Sequence, residues 1–242
     1  MASQAEIGFN RTGIATSPMQ TEKMIEGTTE FLPNPIGDDG VIGLVRGDYA
    51  KSSESLGSVP PPMDLKGAAT TALRAVRGLR PTQFIDKLAE RLAFERSGVR
   101  LYEALISKYD ALGSFEGGPT REELLQTLRE EHEHFRMLTD AVAALGGDPT
   151  VVTPSADLHA TMTRGILEVM VDARTTLTQC LEAALLAELA DNEAWETLTS
   201  LAKQNGEEQM AKLFDEARAE EEEHLENVRA WLAAAQNRDV ND

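Results

Sequence analysis

The sequence predicts an all-α protein, a four-helix bundle with one long crossover, preceded by an irregular N-terminal arm. Three observations carry this. Aromatic residues make up only 5% of the chain, and Ala, Leu and Glu dominate from about residue 82 onward, a balance that favours helix over sheet. Four long stretches each carry a stripe of core-type residues at alternating spacings of four and three. The links between those stretches run short, long, short. Short links make antiparallel neighbours, whereas a long link lets the second and third helices run parallel.

Taken in order, residues 1 to 63 are turn-rich ("GFNRTG", "FLPNPIGDDGVIGLVRG", "KSSESLGSVPPPMD") and show no lasting period, so an irregular segment is expected there. The apolar patches Phe31-Leu32 and Val41-Ile42-Gly43-Leu44-Val45 favour docking on a partner surface over full disorder. Residues 65 to 80, "LKGAATTALRAVRGLR", read as a short basic helix, which places the arm at 1–80 and the bundle at 81–236. The first bundle helix runs from about Thr82 to Leu112 and ends at "GSFEGG". The second opens at "PTREE", where Thr120 and Glu123 have capping-box spacing, and stops at "GGDP". The crossover that follows is expected to hold a short helix, with His159 as a loop residue rather than a ligand. The third helix runs from about Arg174 to Gln204, where Asn205-Gly206 closes it, and the fourth from about Glu207 to Ala235.

Charge and cysteine usage exclude several functions. The net charge is -18, and residues 1 to 80 hold eight Lys/Arg against nine Asp/Glu, so -17 falls on residues 81 to 242. Such a body repels nucleic acid and anionic membranes and attracts cations; neither a nucleic acid nor a membrane is expected as partner. The opening "MASQAEIGFNRTG" lacks the basic and apolar regions of a signal peptide, and there is no apolar run of spanning length, so the cytoplasm is the expected location. Cys180 is the only cysteine, which rules out an internal disulfide and a thiolate metal cluster and suits a small buried residue.

The stripes hold the functional signal. They read Leu88, Leu92, Glu95, Val99, Tyr102, Ile106; then Leu124, Leu128, Glu131, Phe135, Leu138, Val142, Leu145; then Leu177, Leu181, Ala184, Glu188, Asp191, Trp195, Leu198; and last Met210, Phe214, Ala217, Glu221, His224, Val228, Trp231. Each is apolar except near its middle, where a glutamate points inward. Four buried carboxylates would repel one another strongly, so something cationic belongs between them. Two of the four histidines follow a stripe glutamate by three positions, giving Glu131-x-x-His134 and Glu221-x-x-His224. Residues i and i+3 share a helix face, so carboxylate and imidazole converge. The spacing repeats: 36 positions separate Glu95 from Glu131 and 33 separate Glu188 from Glu221. One Glu from each of two helices plus Glu-x-x-His from each of the other two is the carboxylate-bridged dimetal arrangement.

On these residues the chain resembles the ferritin-like superfamily, and within it the rubrerythrin and bacterioferritin type of dimetal domain, over residues 82 to 235. The resemblance implies Glu95 and Glu188 as terminal ligands, Glu131 and Glu221 as bridges, and His134 and His224 completing one metal each. Asp191, one turn after Glu188, resembles the extra carboxylate of rubrerythrin-like sites and is either a ligand or an acceptor behind the ligands. Tyr102 is either core packing or a catalytic, redox or hydrogen-bonding partner of the metals; Trp195 is similarly placed. His132 and Glu133 fall on the outer face, and Glu220, Glu222 and Glu223 read as solvated surface.

Carboxylates with one imidazole per metal suit two Fe ions, alternatively Mn or a mixed Fe/Mn pair. The expected reaction is oxidation of Fe(II) by dioxygen or hydrogen peroxide, of ferroxidase or peroxidase type, in iron handling or oxidative-stress defence. No Cys-x-x-Cys pair is present, so turnover needs an external electron donor. A homo-oligomer, dimer or larger, is expected. The alternative is a non-catalytic stress or assembly protein whose metal stabilises the bundle while the arm forms the interaction surface.

Overall fold

The computed structural model describes residues 18–30, 39–59 and 81–241. Among these every regular element is a helix: α1 (Pro18–Glu30), α2 (Asp39–Ser52), α3 (Pro81–Leu112), α4 (Arg121–Ala144), α5 (Pro154–Val171), α6 (Leu177–Gln204) and α7 (Glu208–Asn241). The chain divides into two compact units, Met1–Glu54 and Ser55–Asp242.

The first unit corrects the expectation of an irregular arm, because α1 and α2 occupy much of it. Gly40, Gly43 and Gly47 made α2 read as turns, but glycine only weakens a helix and does not forbid one. The patch Val41, Ile42, Leu44, Val45 lies on α2 and is exposed. The expected basic helix at 65–80 and the Phe31-Leu32 patch lie outside the described residues.

In the second unit local chemistry fixes the helix ends. Pro81 opens α3 at the position where proline's missing N–H is not needed. The capping box of α4 is present: Thr120 Oγ1 accepts from the Glu123 N–H, and the Glu123 carboxylate accepts from the Thr120 N–H at 2.7 Å. A second box, Thr176 with Gln179, opens α6. The turn from α6 into α7 is tight, with Gly206 at φ 75°, a backbone conformation that favours glycine. The crossover carries the 18-residue α5, longer than the short helix expected, and His159 sits on it, buried, rather than in a loop.

Two apolar clusters give the helices their directions. One joins the second half of α3 (Leu101, Leu105) with the starts of α4 and α6 (Leu124, Leu177, Leu181) and the later part of α7 (Val228, Trp231). The other joins the start of α3 (Phe84, Leu88) with the ends of α4 and α6 (Leu138, Val142, Leu198, Ala202) and the start of α7 (Ala211, Phe214). Helix α3 is therefore antiparallel to α4 and α6 and parallel to α7. Helix α5 lies against α3 and α6. Between the two clusters lies the level at which every stripe turns polar.

Candidate metal centre

Seven side chains predicted as ligands meet at that level. Glu95, Glu131, His134, Glu188, Asp191, Glu221 and His224 are each at most 2% exposed. Candidate ligand atoms lie within 4.8 Å of one another in three overlapping sets: Glu95, His134 and Glu221; Glu131, Glu188 and His224; and Glu95, Glu131, Asp191 and Glu221. The first two sets each combine one lone glutamate with one histidine, and the third ties them together. Glu221 is central, with one oxygen 2.7 Å from His134 Nδ1 and the other 3.0 Å from His224 Nδ1.

The far nitrogens of the two imidazoles are also held, and the pattern is crossed. His134 Nε2 on α4 is 2.8 Å from Glu220 on α7, and His224 Nε2 on α7 is 2.8 Å from Glu130 on α4. A ligating histidine is usually oriented by a carboxylate on its other nitrogen, which leaves the facing nitrogen to the metal. Glu220 is exposed, as expected of it, and in addition holds an imidazole. His132 and Glu133 are exposed, as the stripe assignment requires.

Three further residues complete the surroundings. Tyr102 donates its phenol proton to Glu188 Oε1, so the hydrogen-bonding alternative describes it. Trp195 packs edge-on to the His134 ring, with centroids 5.4 Å apart, and against Phe214. Gly98 supplies space: a Cβ there would lie 2.0 Å from Glu131 Oε2. Gly98 is buried while the expected stripe residue Val99 is only half-buried. Arg91 was not singled out by the sequence. It is 2% exposed and lies 2.8 Å from Glu95 Oε1 and 2.6 Å from Asp191 Oδ1.

The electrostatics show a site short of positive charge. Burial, reinforced by Glu221, pushes the Glu188 carboxyl up to about 8. Burial and neighbouring carboxylates raise Glu131 well above the usual range; the same burial raises Glu95 and Asp191 although Arg91 pulls both down. Glu221 goes the other way: burial opposes its charge, but hydrogen bonds from both imidazoles hold it below the usual carboxylate range. Burial likewise opposes the imidazolium forms, yet Glu221 and Glu95 push His134 up to about 9, and Glu130 and Glu221 push His224 up to about 11. Glu131 Oε2 and Glu188 Oε2 are buried with no hydrogen-bond partner. Such orphaned acceptors are rare in protein interiors, and within a cluster of carboxylates and imidazoles they are consistent with a dimetal site. Oxygen and imidazole donors in this number suit hard or borderline divalent metals.

A family model described as "Ferritin-like domain" matches residues 85–237. No curated protein and no solved structure matches the chain.

Proposed function

The chain belongs to the ferritin-like domain family, and from that premise we propose that the buried layer is a dimetal centre that binds Fe(II) and oxidises it with dioxygen or hydrogen peroxide, in iron handling or oxidative-stress defence. The observation that carries this reading is the pair of orphaned oxygens on Glu131 and Glu188 inside a cluster of five carboxylates and two imidazoles. Two Fe ions are the favoured occupants, with Mn or a mixed Fe/Mn pair as the alternative. When bound, they supply the electrons that reduce the oxidant.

The protein's own groups hold and orient. Glu95 and Glu188, one in each histidine-containing set, would hold one metal each, and His134 and His224 present Nδ1 inward because Glu220 and Glu130 hold Nε2. Glu131 and Glu221, each in one histidine-containing set and both in the set that ties those two together, would hold the metals with them. The Tyr102 phenol, which burial and then Glu188 keep protonated well above its ordinary range, fixes Glu188 by donating to it. The apolar clusters on either side exclude water from the layer. Repeated turnover draws on an electron donor outside the chain.

Protein expressed with ample iron and manganese should hold about two equivalents of metal per chain by elemental analysis. Fe(II) oxidation, followed optically, should fall to the uncatalysed background in Glu131→Ala and persist in Glu133→Ala. Zinc alone, or less than half an equivalent of any metal, would sink the redox reading. A second reading, a non-catalytic protein using the arm as interaction surface, is favoured by the exposed apolar residues of α2. Metal-loaded protein with no peroxide-dependent or dioxygen-dependent oxidation would support it. Assembly into a dimer or larger homo-oligomer is part of either proposal; light scattering with and without residues 1–63 tests it.

A further inference from the structure

Arg91 is a permanently charged group in a place where a cation-binding centre should least tolerate one. It cannot swing away. Its guanidinium carbon lies 4.1 Å from the centroid of the Phe94 ring, Nε faces Glu95 Oε1 at 2.8 Å, and Nη1 faces Asp191 Oδ1 at 2.6 Å and the Asp191 carbonyl at 3.5 Å.

Charge resolves the difficulty. With the carboxyls ionised and the imidazoles neutral, the protonation state in which such groups bind metal, five carboxylates and one guanidinium sum to -4, the charge that two divalent ions balance. Removing Arg91 and Asp191 together leaves four glutamates, again -4. The pair is neutral within the cluster. A metal drawing Asp191 away from Arg91 would leave a buried guanidinium with less of its counter-charge, beside a dication, and breaking one partner out of a buried pair is strongly unfavourable.

We infer that Arg91 and Asp191 form a charge-neutral pair built into the wall of the centre, so that Asp191 is a positioning residue and the metals are held by four glutamates and two imidazoles. Arg91 also fixes Glu95 through Nε, so one guanidinium sets the lone carboxylate of α3 and shields the surplus carboxylate of α6. This rests on the dimetal reading.

The test is a double-variant cycle on the full chain, with Co(II) as probe, titrated by visible absorption against a competing chelator. Wild type should saturate at about two equivalents. Asp191→Asn leaves Arg91 uncompensated and should weaken Co(II) binding at least about tenfold, the lower end of what loss of an outer partner does. Arg91→Gln with Asp191→Asn restores -4, and its amide keeps a donor for Glu95; binding should return to within about threefold of wild type, as a coupled pair requires. A double variant as weak as Asp191→Asn makes Asp191 a ligand and overturns the inference. Metal-free protein supplies an independent readout: each single variant should melt lower than wild type, and the double should recover most of the loss. A double variant that melts at the sum of the two losses, or does not fold, overturns it as well. Wild type binding less than half an equivalent of Co(II) would refute the dimetal reading, and the metal-free cycle would still decide whether Arg91 and Asp191 act as a pair.

Discussion

At the scale of single residues, the centre depends on an atom that is missing. Because a Cβ at position 98 would lie 2.0 Å from Glu131 Oε2, Gly98→Ala must move that carboxylate. The atom displaced is the end of a flexible side chain, so the fold survives. Alanine is about 1 kcal/mol better than glycine inside a helix, and metal-free Gly98→Ala should melt at or above wild type while holding well under two equivalents of metal. Full metal loading of that variant would show that Glu131 is not confined where it lies. The seven inward side chains were readable from sequence because helical geometry alone puts stripe carboxylates and the i+3 histidines on one face. Arg91, Glu130 and Glu220 were not, since each is one charged residue among many in its helix and each has a partner on another helix, Arg91 holding Asp191 besides its own-helix neighbour Glu95. The available signals were weak ones: Arg91 sits one turn before Glu95, and the doublet Glu-Glu-x-x-His occurs twice.

At the scale of elements, α5 shows what periodicity misses. Its sequence promised a short helix, yet both ends of the crossover are tied to α3: Asp86 accepts from the Ser155 N–H at 3.0 Å and from its hydroxyl at 2.7 Å, and Lys108 donates to the Thr175 carbonyl at 2.9 Å. His159, midway, faces Glu90 through Nδ1 at 3.2 Å. Such long-range contacts lengthen and fix a helix that local propensity leaves marginal. Asp86→Ala should cost about 1–2 kcal/mol, the range for losing a helix-start acceptor, and should speed amide exchange in residues 154–171 without changing metal stoichiometry. Unchanged exchange there would mean that apolar packing alone docks α5. The bundle helices followed from sequence because caps and stripes agreed; α1 and α2 did not, because their glycines and sparse apolar spacing resemble turn signals.

At the scale of the whole molecule, pH and metal act on one balance. Glu188 stands at about 8 in the fold against an ordinary 4.5, so its contribution to stability is complete below about 4.5 and is lost as pH rises through 8. His134, at about 9 against 6.5, contributes fully below about 6.5 and loses that contribution as pH rises through 9. Both act in the same direction, so metal-free protein should melt progressively lower between pH 5 and pH 9, as calorimetry across that range would show. Bound metal replaces the protons and should flatten or reverse the trend. A metal-free melting temperature that climbs with pH would contradict the burial of these groups as neutral carboxyl and charged imidazole. The crossed hold on the imidazoles has a last consequence. Each ring is aimed by the helix pair that does not carry it, so neither α3 with α4 nor α6 with α7 contains a finished site. The centre is built by docking two half-sites, and its geometry is the same whether the halves come from one chain or are exchanged between two. The crossover that links the two halves is tied to α3 at Asp86 and Lys108.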